Sequence, residues 1–116
     1  IHTSVDSDEL TVTEILHQIG VPAHIKGYQF LRDAILLTMN EPEYINAVTK
    51  RLYPETAEQF GTTGSAVERA IRNLIYAVWD RTDHTLLEHI AGTPLKRPPS
   101  NSEFLDMLAG YLRNHR

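Results

Sequence analysis

An all-α fold is predicted by two features of the sequence: apolar residues recur at helical spacing, and helix-ending residues divide this pattern into separate segments. The chain has 116 residues, of which 41% are hydrophobic, enough for one domain with a modest core. No stretch of useful length alternates polar and apolar residues as a half-buried strand would. The expected architecture is a compact multi-helix domain that contains a helix-turn-helix.

The first half of the chain contains four predicted helices. The first is expected to begin at a capping box formed by Thr11 and Glu14 and to end at Gly20. The other three are expected at about 28–40, from Pro42 to about Arg51, and from Pro54 to Phe60. In the third of these segments, the residues expected to face inward are Tyr44, Ile45 and Val48.

The second half contains three more predicted helices. The longest, at about 64–81, has an apolar stripe at helical spacing formed by Val67, Ala70, Ile71, Leu74 and Val78. A sixth helix is expected at about 83–90, ended by Gly92 and followed by the proline-rich loop TPLKRPPSN. Ser100 and Glu103 form a second capping box, which predicts a last amphipathic helix.

The stretch YPETAEQFGTTGSAVERAIRNLI, residues 53–75, has the spacing of a helix-turn-helix. Ala57 is small where the second helix must pack closely, and Gly61 tolerates a positive φ at the sharp turn. Thr63 can cap the second helix, and Val67 supplies an inward β-branched residue. Alternatively, Ser65 is the cap and Glu68 closes its box, and an ordinary helical hairpin could carry the same residues by chance.

The opposite side of the long helix carries Ser65, Glu68, Arg69, Arg72 and Tyr76. This set is either an ordinary solvated face or a surface that reads DNA. Arg69 can donate a bidentate pair to guanine, and Glu68 can accept from the amino group of cytosine. The simpler interpretation of Glu68 is an i,i+4 pair with Arg72, worth a few tenths of a kcal/mol. Both interpretations can hold, because the pair would orient Arg72 in the free protein.

The charge is unevenly distributed. The net charge is −4, which argues mildly against a nucleic-acid partner. However, residues 1–20 hold four acidic residues and no Lys or Arg, whereas residues 61–116 hold seven basic and six acidic residues. Cysteine is absent, so disulfides and thiolate metal sites are unavailable. Neither a signal peptide nor a membrane-length apolar run is found, and a cytoplasmic location without membrane contact is expected.

The remaining chemistry-bearing residues predict neither an enzyme nor a cofactor. His84, Glu88 and His89 resemble a zinc-binding helix motif with one residue too many, and the two histidines would lie about 140° apart around a helix. They are interpreted as surface histidines, and no metal site is expected. GTTGSA lacks the lysine of a phosphate-binding loop and the spacing of a serine nucleophile elbow. Tyr76 and Trp79 are interpreted as packing residues.

The chain also resembles a known family. The strings GVPAHIKGYQFLRDAI, VERAIR and NSEFLDMLA occur in this order, with a Trp-Asp-Arg between the last two, and the similarity spans about residues 10–112. They resemble the C-terminal DNA-binding effector domain of the sporulation stage-zero master response regulator. The resemblance implies a six-helix fold whose helix-turn-helix reads a duplex box resembling TGTCGAA. It also implies that residues 1–116 are one effector domain of a phosphorelay transcription regulator, without its N-terminal receiver.

Partners and contact residues follow from the same resemblance. Dimerisation on DNA is implied, as is a surface for the sigma subunit of RNA polymerase within Arg81–Leu95, a stretch that is poorly matched here. Alanine stands at position 66 where the family usually has a base-contacting arginine, and asparagine at position 73 where it usually has histidine. The predicted DNA-binding residues are Thr63, Ser65, Ala66, Glu68, Arg69, Arg72 and Asn73. The alternative is a helical protein-interaction module with little DNA affinity, which the net charge and Ala66 would fit.

Overall fold

The computed structural model describes the backbone of residues 4–115 and the side chains of residues 7–115. These residues form six α-helices, with two short helical turns between the second and the third, and no strand. The α-helices are α1 Ser4–Ile19, α2 Tyr28–Asn40, α3 Tyr53–Phe60, α4 Gly64–Arg81, α5 Thr85–Ala91 and α6 Asn101–Asn114. The predicted all-α class is confirmed.

The first helix begins earlier than the sequence predicted. Thr11 does not cap α1, because it lies in the middle of the helix and its hydroxyl donates to the Ser7 carbonyl at 2.8 Å. A threonine hydroxyl can satisfy a carbonyl one turn back as readily as it caps, so the capping pattern was misleading here. The predicted end is correct: Gly20 has a φ of 98°, and the Val21 amide donates to the Leu16 carbonyl at 2.9 Å.

The third predicted helix is interrupted. Pro42–Asn46 forms a 3-10 turn and Val48–Leu52 a π-helical turn, because Ala47 between them has a non-helical backbone with φ −144° and ψ 45°. The amides of Arg51 and Leu52 both donate to the Ala47 carbonyl, which widens the second turn. Tyr44 and Val48 are buried as predicted, whereas Ile45 is only half-buried.

The core lies between α2, α4 and α6, which all contact one another, while α3 packs against α2 and α4. Full burial of a large apolar side chain contributes about 1.5–3 kcal/mol, so residues of this kind dominate the stability of the fold. The largest fully buried side chains are Phe104, Leu16, Leu31, Ile35, Met39, Leu52, Ile71, Leu74, Leu105, Leu108, Val12 and Val67.

Gly27, immediately before α2, allows the chain to press closely against α4. Its φ is 101°, and a Cβ at this position would lie 2.7 Å from the Cβ of Ala70. Any larger residue would therefore push the start of α2 away from α4. The contact fixes one flank of the helix that carries the predicted DNA-binding residues.

Both ends of α5 and the start of α6 lie largely where they were predicted. Asp83 accepts a hydrogen bond from the Thr85 amide at the start of α5, and Gly92, with a φ of 75°, ends that helix. The second capping box is confirmed: Ser100 Oγ accepts from the Glu103 amide, and Glu103 accepts from the Ser100 amide at 2.8 Å. None of the helices in the described part of the chain is both long enough and apolar enough to cross a membrane.

Candidate nucleic-acid interface

The turn between α3 and α4 is built by local hydrogen bonds. Gly61 has a φ of 65°, and the Thr62 amide reaches back to the Ala57 carbonyl at 3.0 Å, which ends α3 in a Schellman motif. A Cβ at Gly61 would meet nothing within 4 Å, so this position needs glycine for its backbone conformation rather than for space. Thr63 then starts α4: its Oγ1 accepts from the Ala66 amide at 3.1 Å. The Thr63 cap is confirmed, and the Ser65 cap is wrong.

The two residues predicted to pack between α3 and α4 are both buried. Ala57 is 2% exposed and Val67 is fully buried, in two helices that pack against each other. Ile71, Leu74 and Val78 continue the buried stripe, whereas Ala70 is only half-buried. The small side chain in α3 and the β-branched one in α4 therefore lie in the core, as a helix-turn-helix requires.

The outer side of α4 brings together the residues predicted to contact DNA. At about 100° per residue, Ser65, Arg69 and Arg72 lie within about 60° of one another around the helix axis. All three are exposed. Glu68 lies at one edge of this sector and the pair Ala66 and Asn73 at the other, and Thr63 is exposed at its N-terminal end. We call these seven residues the reading face.

Tyr76 extends the reading face toward the C-terminus of α4. It is 51% exposed, so its interpretation as a packing residue is wrong. Trp79 is half-buried and stacks on the imidazole of His84, with ring centroids 3.5 Å apart. Tyr76 therefore adds an exposed aromatic ring and a hydroxyl group beside Arg69 and Arg72.

Glu68 and Arg72 form an ion pair in the free protein. Arg72 Nη1 lies 2.6 Å from Glu68 Oε2, and both side chains keep more than a third of their surface exposed. Because solvent screens such a pair, it contributes only about 0.3–0.5 kcal/mol to stability. No ion pair or hydrogen bond within residues 7–115 holds the Arg69 side chain. Arg69 is therefore a cation that points into solvent from the middle of the reading face.

Two clefts flank the first turns of α4. One, of about 360 Å³, is lined by Thr49, Tyr53, Thr63, Gly64, Ser65 and Glu68. The other, of about 440 Å³, lies toward α6, where Arg72 and Arg97 are both among its lining residues. Thr49 and Arg97 were missed by the sequence analysis, because they lie outside the helix-turn-helix and no spacing rule links them to it.

Tyr53, the first residue of α3, contacts the side chain of Asn101 behind the reading face. The Tyr53 hydroxyl accepts a hydrogen bond from Asn101 at 3.0 Å. Burial raises the pKa of the Tyr53 phenol, and the bond from Asn101 opposes that rise only in part. The hydroxyl is therefore neutral and able to hydrogen-bond at physiological pH.

The structure does not bring His84, Glu88 and His89 together as a group of metal ligands. His84 is half-buried, has a left-handed backbone with a φ of 67°, and its Nε2 lies 2.6 Å from the Trp79 carbonyl oxygen. His84 is therefore only partly at the surface, whereas His89 is exposed as predicted. In the residues that the structure describes, no three potential metal ligands cluster. The ring nitrogen of His84 instead ties the end of α4 to the start of α5.

The chain matches a model of a known protein family. The family model described as sporulation initiation factor Spo0A C terminal matches residues 12–112. The matched range contains the whole helix-turn-helix and the first turns of α6.

Proposed function

The chain belongs to the family of the sporulation initiation factor Spo0A C-terminal domain, and on that premise we propose that it binds double-stranded DNA sequence-specifically through the reading face. It acts as the effector domain of a transcription regulator of sporulation initiation. The observation that carries the proposal is the exposure of Ser65, Arg69 and Arg72 in one narrow sector of α4, directly after a capped turn.

The proposal assigns a different contact to each part of the reading face. Arg69, held by no partner within the described residues, donates to guanine O6 and N7 in the major groove. Glu68 accepts from a cytosine amino group, and Arg72 contacts a base or a phosphate once DNA competes for its ion pair. Thr63 and Ser65 lie at the N-terminus of α4, where a phosphate is favoured by the helix dipole and by free amides.

Ala66 and Asn73 form the edge of the reading face and adjust its specificity. An alanine methyl group can contact a thymine methyl but cannot donate to guanine. Asn73 can pair with adenine N6 and N7 when its side chain reaches the base edge. The chain is therefore expected to bind a box resembling TGTCGAA with a looser preference at the base pairs nearest these two residues.

Further partners follow from the family resemblance alone. Residues 1–116 form one effector domain of a response regulator, and a receiver domain belongs to the full-length family protein. Two copies bind adjacent boxes as a homodimer, and a surface near α5 contacts the sigma subunit of RNA polymerase. No metal, cofactor or catalytic step is part of the proposal.

Titration of duplex DNA tests the proposal. The dissociation constant is measured for a duplex containing TGTCGAA and for a scrambled duplex, each at several salt concentrations. We expect tighter binding to the matched duplex and weakening with salt on both, because phosphate contacts release counterions. Equal binding to the two duplexes, or no binding, would contradict the proposal. Binding that is also independent of salt, or absent, would indicate the protein-interaction module instead.

A further inference from the structure

The buried side chain of Asn101 joins α6 to both helices of the helix-turn-helix. Its Nδ2 donates to the Tyr53 hydroxyl and to the backbone carbonyl of Glu68, each at 3.0 Å. Tyr53 begins α3, and Glu68 lies in the second turn of α4. These partners are 48 and 33 residues away in the sequence, so one amide group connects three separate segments of the chain.

The chemistry of the Glu68 carbonyl fixes the orientation of this amide. A backbone carbonyl can only accept, so the Asn101 atom that faces it must be the NH2 group. The carbonyl has two lone pairs and can accept from Asn101 while it also accepts the Arg72 amide of its own helix. A carboxylate of the same shape could not make this contact, because two acceptors would then face each other.

The backbone of Asn101 is itself held in place. Asn101 is the first residue of α6, and the capping box closes around it through Ser100 and Glu103. Hydrogen bonds from the Ser100 amide and hydroxyl hold the pKa of Glu103 below its usual range, and Arg97 lies 3.6 Å from the same carboxylate. The Asn101 amide is thus presented to α4 from a fixed helix end.

The contact acts on the flank of α4 between its buried stripe and its reading face. Glu68 and Ala70 lie about 160° apart around the helix axis. The carbonyl of the first accepts a hydrogen bond from Asn101, and the second lies so close to Gly27 that a Cβ on Gly27 would be 2.7 Å from the Cβ of Ala70. Contacts on two opposite flanks resist rotation of α4 about its axis, and such a rotation would move every side chain of the reading face relative to the DNA.

We propose that Asn101 is a positioning residue for DNA reading: it sets the rotation of α4 so that Arg69 and Glu68 meet base edges at hydrogen-bond distance. The inference rests on the proposed function. Direct base contacts depend steeply on distance and angle, whereas charge attraction to phosphates tolerates small displacements. Loss of the Asn101 bonds is therefore expected to reduce discrimination between duplexes more than overall DNA affinity.

The test compares Asn101→Asp with Ser102→Asp. Both variants add one negative charge at the start of α6, where an acidic residue suits the helix dipole. Ser102 is exposed and, like Asn101, lines the cleft of about 440 Å³ between α4 and the start of α6. Its substitution is therefore the charge-matched control. Both variants should bind all DNA more weakly, but only Asn101→Asp should lower the ratio of matched to scrambled affinity, by about three- to tenfold.

Asn101→Ala provides the second variant, because it removes the donor without adding a charge. It should also lower the ratio, while circular dichroism shows that the protein remains folded. In an Arg69→Ala background, Asn101→Asp should reduce the ratio by a smaller factor than in the unmodified chain, because one of the two base contacts that Asn101 positions is already absent while that of Glu68 remains. A purely structural role would give the same loss in both backgrounds.

Three outcomes separate the two proposals. If the unmodified chain prefers the matched duplex and both Asn101 variants keep its ratio while folded, the positioning role is overturned and the proposed function stands. If the loss is equal in both backgrounds, the positioning role is also overturned. If the unmodified chain shows no preference between the duplexes, the proposed function fails and the positioning role fails with it.

Discussion

Arg69 and Arg72 are chemically identical but differently restrained. Arg72 is held 2.6 Å from Glu68 in the free protein, whereas no ion pair or hydrogen bond in the described part of the chain holds Arg69. A free arginine in the middle of the reading face does not need to break a pair before it binds DNA. It must, however, lose side-chain entropy on binding. Arg69 is therefore expected to contribute more to base recognition than Arg72 does.

Arg69→Ala should cost about 1–3 kcal/mol of binding free energy on the matched duplex and relax the preference at one base pair. The free energy of unfolding should change by less than about 0.5 kcal/mol, because Arg69 is exposed and unpaired in the described structure. Duplex titration and denaturant unfolding measure the two effects separately. Unchanged affinity for matched DNA in a folded variant would contradict the role assigned to Arg69.

Ala66→Arg tests the edge of the reading face. Ala66 is half-buried, about 100° from the inward Val67, so an arginine side chain can extend outward without entering the buried stripe. If it contacts a base, matched DNA should gain about 1–3 kcal/mol over scrambled DNA. If it contacts only phosphate, both duplexes should bind more tightly, and the salt slope should steepen by about one unit.

Titration of both duplexes with Ala66→Arg at several salt concentrations distinguishes these outcomes. Asn73→Arg is a comparison on the same edge of α4, at an exposed position two turns further on. No gain with the arginine at position 66 on either duplex would mean that this edge of α4 does not face DNA.

At the scale of the element, the start of α4 depends on one side chain. The first four amides of a helix have no partner within it, and Thr63 Oγ1 accepts from that of Ala66. Ser65, two residues later, is already inside the helix and exposed. The two hydroxyls were interchangeable candidates in the sequence but have different roles in the structure.

Thr63→Ala should reduce the free energy of unfolding by about 1 kcal/mol, because an N-cap hydroxyl is lost. Ser65→Ala is the matched control and should change stability by less than about 0.5 kcal/mol, since its hydroxyl caps nothing. Urea unfolding of both variants measures the difference. Equal losses, or a larger loss for Ser65→Ala, would contradict the observed cap.

At the scale of the whole molecule, α2 connects α4, which carries the reading face, to the rest of the core. It contacts α3, α4 and α6, so polar groups on it affect the entire domain. Asp33 of α2 lies against Thr56 of α3, and Asp33 Oδ2 and Thr56 Oγ1 are both buried without a hydrogen bond of regular geometry. Burial raises the pKa of Asp33 above its ordinary 3.8, and attraction to Thr56 and Arg32 offsets this only in part.

The raised pKa gives Asp33 a stability effect with a definite sign. The folded state prefers the protonated carboxyl, so this residue lowers stability as the pH rises above 3.8 through the raised pKa. Glu55, Asp83 and Glu103 have lowered pKa values and the opposite effect on stability. The stability that their carboxylates contribute to the folded state is lost as the pH falls.

Asp33→Asn should therefore increase the free energy of unfolding at neutral pH, because a neutral amide replaces a partly buried charge. The gain should shrink as the pH falls through the raised pKa of Asp33 toward 3.8, because the original carboxyl then becomes protonated in the folded protein. Denaturant unfolding of both proteins between pH 4 and pH 7 measures the gain. A loss of stability at pH 7 would instead mean that the carboxylate is stabilised by contacts with Arg32 and Thr56.

The sequence alone determined those features of the protein that depend on neighbouring residues. The Gly61 turn, the Thr63 cap, the buried stripe of α4 and the second capping box are set by hydrogen bonds and periodicity over about one or two helical turns. A pattern of residue types carries this information directly. It was misleading where one residue type has two local uses, as with the hydroxyl of Thr11, which bonds back to Ser7 instead of capping a helix.

Tertiary structure alone decided how α4 is held in the domain. Asn101 lies 33 residues from Glu68, and Gly27 meets Ala70 across a similarly long separation in the chain. No spacing rule connects such positions, because their contact depends on how α2, α4 and α6 pack around a shared core. Thr49 and Arg97 were brought to the flanks of α4 in the same way. Which residues lie on the exposed side of α4 is therefore determined locally, but the rotation of the helix that presents them depends on long-range contacts.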